Sequence, residues 1–283
     1  MKFVRGRLDG GVNWGVQESD QVHLLGDSRV GAPSLQDLLN PSYRRVTQDL
    51  LSAQELPRVD LEAIDRLAPV TDIGKIVCVG LNYHDHAAEQ DQEIPEQPIL
   101  FAKASTSITD PGAPIVKPPD IDQLDYEVEL GVVIGRTAKA VAAGEARDYI
   151  AGYTVVHDVS ARDAQFADGQ WFRGKSYDTF APMGPILVSE NDIEPNDLEV
   201  ELRVNGNRKQ QSTTAEFIFN VDELVEYISR AMTLRPGDVI STGTPGGVGV
   251  FREPPDLLEP GDLVEAEIED IGVLRNRVVG SDG

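Results

Sequence analysis

From Lys75 onward the chain is a succession of apolar, β-branched runs of four to eight residues, each stopped by Gly, Pro, Asn or Asp, and this rhythm limits its fold most. The runs are Ile76 to Val79, Ile99 to Ala102, Glu127 to Ile134, Ile150 to Val156, Gly184 to Val188, Glu199 to Val204, Val239 to Thr242 and Leu263 to Ile268. Side chains branched at Cβ suit a pleated, half-buried surface and are too stiff to favour helix, so each run reads as a strand. Helical pieces are fewer in this part, the best being Asn82 to Gln90 and Val221 to Thr233, the second with apolar residues at Val221, Leu224, Val225, Ile228 and Met232. Strands at this spacing with so few helices between them favour a roll or sandwich over alternating βαβ units. The first 70 residues differ: short strands at Lys2 to Val4, Val12 to Val16 and Gln21 to Leu25 precede a helical stretch around Ser34 to Leu51. A connection from Leu56 to Pro69 has breakers at both ends. The expected fold class is therefore mainly β with some α, with a small N-terminal α+β domain over residues 1–70 and a β-rich domain over 71–283.

Charge removes several classes of function. Lys plus Arg number 25 against 48 Asp plus Glu, a formal charge of −23 spread along the chain, which leaves no basic face for nucleic acid or an anionic membrane. Such a surface suits high salt, where screening removes self-repulsion; equal stability in dilute buffer and in molar KCl would defeat this halophilic expectation. No apolar run approaches the ~20 residues of a membrane span. Met1 to Arg7 is basic but is not followed by the apolar stretch of a signal peptide, so the expected location is cytoplasmic. The single cysteine, Cys78, lies inside an apolar run and reads as a small buried hydrophobe.

The segment Tyr126-Glu127-Val128-Glu129-Leu130-Gly131-Val132-Val133-Ile134 places two glutamates at i and i+2 at the head of an apolar strand. A strand sends such residues to one face, about 6 to 7 Å apart. Two carboxylates held that close in a core protonate unless a cation neutralises them, and oxygen donors alone select a hard ion. A second apolar strand ends on Asp158, which is able to enter the same site from alongside or simply to cap a helix beginning near Ser160. His86 and Glu89 stand at i and i+3, on one side of a helix, where a carboxylate can orient an imidazole. Gly246 and Gly247 fit neither nucleotide-binding glycine spacing, so no nicotinamide or ATP cofactor is expected.

Seven blocks add to this: KIVCVGLNYHDH (Lys75 to His86), PILFAKAST (Pro98 to Thr106), YEVELGVVIG (Tyr126 to Gly135), GYTVVHDVSARDAQ (Gly152 to Gln165), GKSYDTFAPMGP (Gly174 to Pro185), STGTPGGVG (Ser241 to Gly249) and GVLRNRV (Gly272 to Val278). In order and spacing they resemble the fumarylacetoacetate hydrolase family; the leading 70 residues resemble the variable N-terminal domain of its longer members. The resemblance implies a mainly β, roll-like catalytic domain, a homodimer, and Mg²⁺ or Mn²⁺, with Ca²⁺ also used in the family, on Glu127, Glu129 and Asp158. It implies a small-molecule 2-oxo acid substrate, chelated by the cation and passing through an enolate. His86 and Glu89 match the family's base dyad and Lys175 its active-site lysine. Arg162 and Gln165 match substrate-contacting positions, Lys103 lies near the metal site, and Thr244 is suited to the substrate carboxylate. The leading expectation is C–C bond hydrolysis of a 2,4-dioxo acid such as an acylpyruvate or fumarylpyruvate, or action on a 2-keto-3-deoxy sugar acid. The alternative is an isomerase or decarboxylase of hydroxymuconate-type dioates, or an oxaloacetate decarboxylase. A non-enzymatic alternative is a 2-oxo acid-binding dimer without catalysis.

Overall fold

The computed structural model describes residues 1–26, 28–70 and 73–281. Its main sheet runs, edge to edge, through Arg58–Asp60, Gln21–Leu24, Gly11–Glu18, Lys2–Leu8, Ala181–Ser189, Ile150–His157, Val128–Ile134, Val239–Ser241, Ile76–Gly80 and Ile99–Lys103. Neighbours are antiparallel except Val239–Ser241 beside Ile76–Gly80. The leading segment is joined to the body inside this sheet, where Lys2 pairs with Val188 and Phe3 with Leu187. A second sheet orders Asn207–Thr213, Glu199–Val204, Leu263–Ile268, Gly272–Gly280 and Ile115–Lys117. The fold is mainly β, as the strand rhythm predicts, and the sheets do not close into a barrel.

The central strand Val128–Ile134 is buried throughout and explains how a charged site sits in an apolar body. Its even-numbered residues, Val128, Leu130, Val132 and Ile134, join the core shared with Val200, Leu202, Val264, Ala266 and Ile268 of the second sheet. Val133 packs on the opposite face with Ile76, Cys78, Ala151 and residues of the leading segment such as Phe3 and Leu50. By the two-residue period of a strand, Glu129 shares the face of Val133, and Glu127 extends the same alternation. Removing one of these large apolar side chains to alanine costs about 2–5 kcal/mol, which is the rigidity the site is built on.

Three sequence expectations shift locally. The helical stretch near Ser34 divides into Leu35–Leu38 and Pro41–Ser52. Pro41 has no N–H to continue a helix but suits its first turn, and the Asn40 side chain accepts from Ser42 N at 2.9 Å. Asn207–Thr213 is a strand with no apolar residue, which hydrophobic pattern cannot detect; it is held at a sheet edge by Glu199–Val204. The helix at Val221–Ala231 buries Val221, Leu224, Val225 and Ile228 as its periodicity predicts and is opened by a reciprocal Asn220/Glu223 capping box, but it stops before Met232, which is extended and exposed.

Candidate metal and active site

Strand pairing brings the three acids together. Val128 stands opposite His157, Glu129 opposite Val156, and Asp158 N donates to the Glu127 carbonyl at 2.9 Å. One carboxylate oxygen from each of Glu127, Glu129 and Asp158 lies within 4.8 Å of the others, all three residues buried, a group that could hold a metal ion. The helix after Asp158 starts only at Arg162 with Ala161 as its N-cap, so Asp158 caps nothing. All-oxygen donors in this number fit a hard divalent cation.

The electrostatics of the chain alone show the same demand. Burial, then the charges of Asp158 and Glu127, push the Glu129 carboxyl up to about 8. Glu127 goes the other way: burial opposes ionisation, but the Lys175 and Arg162 cations outweigh it and hold the carboxyl down to about 2. Lys175 Nζ bridges Glu127 Oε2 at 2.6 Å and Asp158 Oδ2 at 2.9 Å. Lys103 Nζ reaches Asp158 Oδ1 at 2.5 Å and the Val159 carbonyl at 3.1 Å. Arg162 contacts Glu127 Oε1 at 2.6 Å and Asp125 Oδ2 at 2.8 Å, and donates to Gln165 Oε1 at 2.9 Å. Four buried carboxylates thus face three buried cations, and Glu129 is the acid with no cation in contact among the described residues.

Above the acids lies a pocket of about 220 Å³, whose polar lining includes Glu127, Glu129, Arg162, Gln165, Lys175 and Thr244. Phe101, Trp171, Phe166 and Phe251 supply apolar wall. His86 lines it too, with Nδ1 at 3.1 Å from Glu89 Oε2, on the short helix His84–Glu89. Lys103 stands behind Asp158 and is not part of the lining. The Thr244 hydroxyl donates to the Val128 carbonyl at 2.9 Å and accepts from Gln210 Nε2 at 2.8 Å, so it braces the acidic strand from within the lining. His84 is exposed, and burial followed by Lys103 brings His157 down to about 3, which keeps its ring neutral. Burial, then Asp158 and Glu129, push the Cys78 thiol well up, which keeps it inert.

Several supporting residues are given no role by the sequence reading above. Ser241 Oγ donates to Glu129 Oε2 at 2.5 Å, and Gly243 N donates to the same oxygen at 3.1 Å. Gly243 has φ +97, and a Cβ there would meet the Val79 carbonyl at 3.0 Å, so glycine is required for this donor to reach Glu129. Asp125 accepts from Gly249 N at 2.7 Å and Val250 N at 3.0 Å while holding Arg162. The pattern Asp125, Glu127, Glu129, alternate residues of one segment, is the clue that would have found it.

Fold and site together define a class: proteins that gather three buried carboxylates able to hold a metal ion beneath a small, partly aromatic pocket. The family model for the fumarylacetoacetate (FAA) hydrolase C-terminal domain matches residues 75–279, and the chain belongs to that family. It is 47% identical over 229 residues to the mitochondrial oxaloacetate tautomerase Fahd2a of Rattus norvegicus, covering 80% of this chain and 73% of that protein. Among solved structures it is similar to 2-hydroxyhepta-2,4-diene-1,7-dioate isomerase from Mycobacterium marinum, at 36% identity and a TM-score of 0.81, each chain covered in full at 100%. It is also similar to a fumarylacetoacetate hydrolase from psychrophilic Exiguobacterium antarcticum, at 37% identity and a TM-score of 0.86 over 99% of both chains. No helix among the described residues is long and apolar enough to cross a membrane.

Proposed function

We propose that this chain is a divalent-metal-dependent isomerase of 2-oxo dioic acids, interconverting enol and keto forms of an oxaloacetate-like or hydroxymuconate-like dioate. The names of its tautomerase and isomerase relatives support this above the hydrolytic alternative. The observation that carries it is the position of Lys175, a buried ammonium touching two of the three acids and lining the pocket. A Mg²⁺ or Mn²⁺ ion held by Glu127, Glu129 and Asp158 would supply an electrophile that stabilises negative charge on the 2-oxo oxygen. Going from enol to keto, the substrate loses a proton from oxygen and gains one at C3. Lys175 is placed to deliver that proton and recover one, and no water is consumed. Arg162 fixes Glu127 and orients Gln165 toward the pocket, so both hold the site's shape around the substrate. A homodimer belongs to the same proposal and is tested by light scattering.

A second reading, hydrolysis of a 2,4-dioxo acid, draws on the His86–Glu89 pair at 3.1 Å, which resembles a base for activating water. The deciding experiment incubates the protein, with Mg²⁺ or Mn²⁺ and after chelation, with enol-oxaloacetate, a hydroxymuconate-type dioate, an acylpyruvate and a 2-keto-3-deoxy sugar acid. Metal-dependent ketonisation faster than any cleavage or release of CO₂ is expected. Preferential turnover of the acylpyruvate or the sugar acid, or no turnover at all, overturns the proposal.

A further inference from the structure

His86 has two neighbours on its own helix and its end. Nδ1 lies 3.1 Å from Glu89 Oε2, and Nε2 lies 2.8 Å from Gln90 Nε2. A carboxylate only accepts, so Nδ1 carries the proton, which leaves the one lone pair of the neutral ring on Nε2. The amide nitrogen of Gln90 only donates, and it donates into that lone pair. Both contacts are satisfied by a single tautomer, and both are fixed from outside the ring. Glu89 Oε1 accepts from Gly247 N at 2.9 Å, and the Gln90 backbone N–H closes the helix on the His86 carbonyl at 3.3 Å. Phe251 lies against the imidazole at 6.5 Å between ring centres.

Hydrolysis of a 2,4-dioxo acid makes a specific demand on this atom. Water must lose a proton to a base, its oxygen must bond to the C4 carbonyl carbon, and the C3–C4 bond must then break with C3 taking up a proton. A base accepts a proton only through a free lone pair. Enol–keto exchange makes no such demand, because no water is split.

We propose that Gln90 is a specificity-determining residue: by occupying His86 Nε2 it withholds the base that hydrolysis needs and leaves proton transfer within the substrate as the reaction of this pocket. The inference rests on the isomerase reading above for its meaning, and on the two hydrogen bonds for its substance. Gln90 lines the same pocket as His86 and Lys175, so the mask stands where an attacking water would have to be held.

The test compares wild type with Gln90→Met, which keeps length and loses the donor. In Gln90→Met, acylpyruvate hydrolysis relative to enol–keto exchange is expected to rise about tenfold, the effect of freeing one hydrogen-bonded acceptor. Adding His86→Gln should abolish that gain. Side-chain ¹⁵N NMR of wild type, read without substrate or metal, should show Nε2 unprotonated and hydrogen-bonded, and Gln90→Met should move that resonance toward the free-acceptor position. An unchanged ratio, a gain that survives His86→Gln, or a proton on Nε2 in wild type overturns the proposal. The wild-type substrate panel judges the isomerase reading separately. If wild type fails as an isomerase while Gln90→Met still gains hydrolysis, the mask stands and the reading falls; an active isomerase with an unchanged ratio in Gln90→Met gives the reverse.

Discussion

The floor and the wall of the pocket are built on opposite plans. On the floor, Glu127, Glu129 and Asp158 are buried, and both oxygens of Asp158 and of Glu127 have a cationic partner. On the wall, Phe166 is 56% exposed and Phe251 41% exposed, and the helix carrying His86 is only six residues long. The floor is costly to build and tolerates no change, because each buried charge depends on its neighbours. The wall is inexpensive to alter. On the proposed function, the shared chemistry belongs below and the choice of substrate and reaction above.

Attacking the floor should give the largest effects. Glu129→Ala removes one of three donors and is expected to lower kcat/KM by about 10³-fold or more, the scale of losing electrophilic stabilisation. Steady-state kinetics with Mg²⁺ and isothermal titration of the metal both check it, and unchanged metal binding would contradict the site as drawn. Lys103→Met leaves Asp158 buried with one cation fewer and should cost about 3–5 kcal/mol in urea unfolding. A loss below 1 kcal/mol would mean that water or a counter-ion replaces the lysine.

One step outward the effect should shrink. Ser241→Ala removes a donor to Glu129 without touching the pocket lining, and a ligand's supporting partner is worth about 10–100-fold in metal affinity. Calorimetric titration of Mn²⁺ measures it; no change would place the ion away from Glu129. The wall should respond least. Phe166→Ser is expected to alter unfolding free energy by less than about 0.5 kcal/mol, as exposed substitutions do, while shifting relative KM values among dioates of different length. A large loss of stability there would erase the contrast between the two regions.

Sequence alone reached the floor more completely than the wall, for physical reasons. Glu127 stands just before Val128–Ile134 and Glu129 inside it, two residues apart, and Asp158 directly follows the strand paired with it, so local periodicity carries nearly all the geometry. The strands themselves were legible because burial on both faces writes continuous β-branched runs. Ser241 and Gln210 reach the site from separations of 112 and 82 residues, and neither a serine at the end of a short buried strand nor a glutamine in a polar one announces a partner. Gln90 was closer to visible, since residues four apart share a helix face, yet a glutamine after a helix ordinarily meets solvent. The expected break at residue 70 describes sequence character, whereas hydrogen bonding across Lys2–Leu8 and Ala181–Ser189 is a matter of three-dimensional pairing that no local pattern contains.

That pairing has a consequence for the solution behaviour of the chain. Ala181–Ser189 is nine residues long and buried along its whole length. Without the leading strands its Leu187–Val188 end would lose a partner and leave N–H and C=O groups open to another chain, while Ile108–Thr109 would still cover Ala181 and Pro182. The first residues thus close one end of an edge that would otherwise be free to pair with a second chain, independently of anything that happens in the pocket.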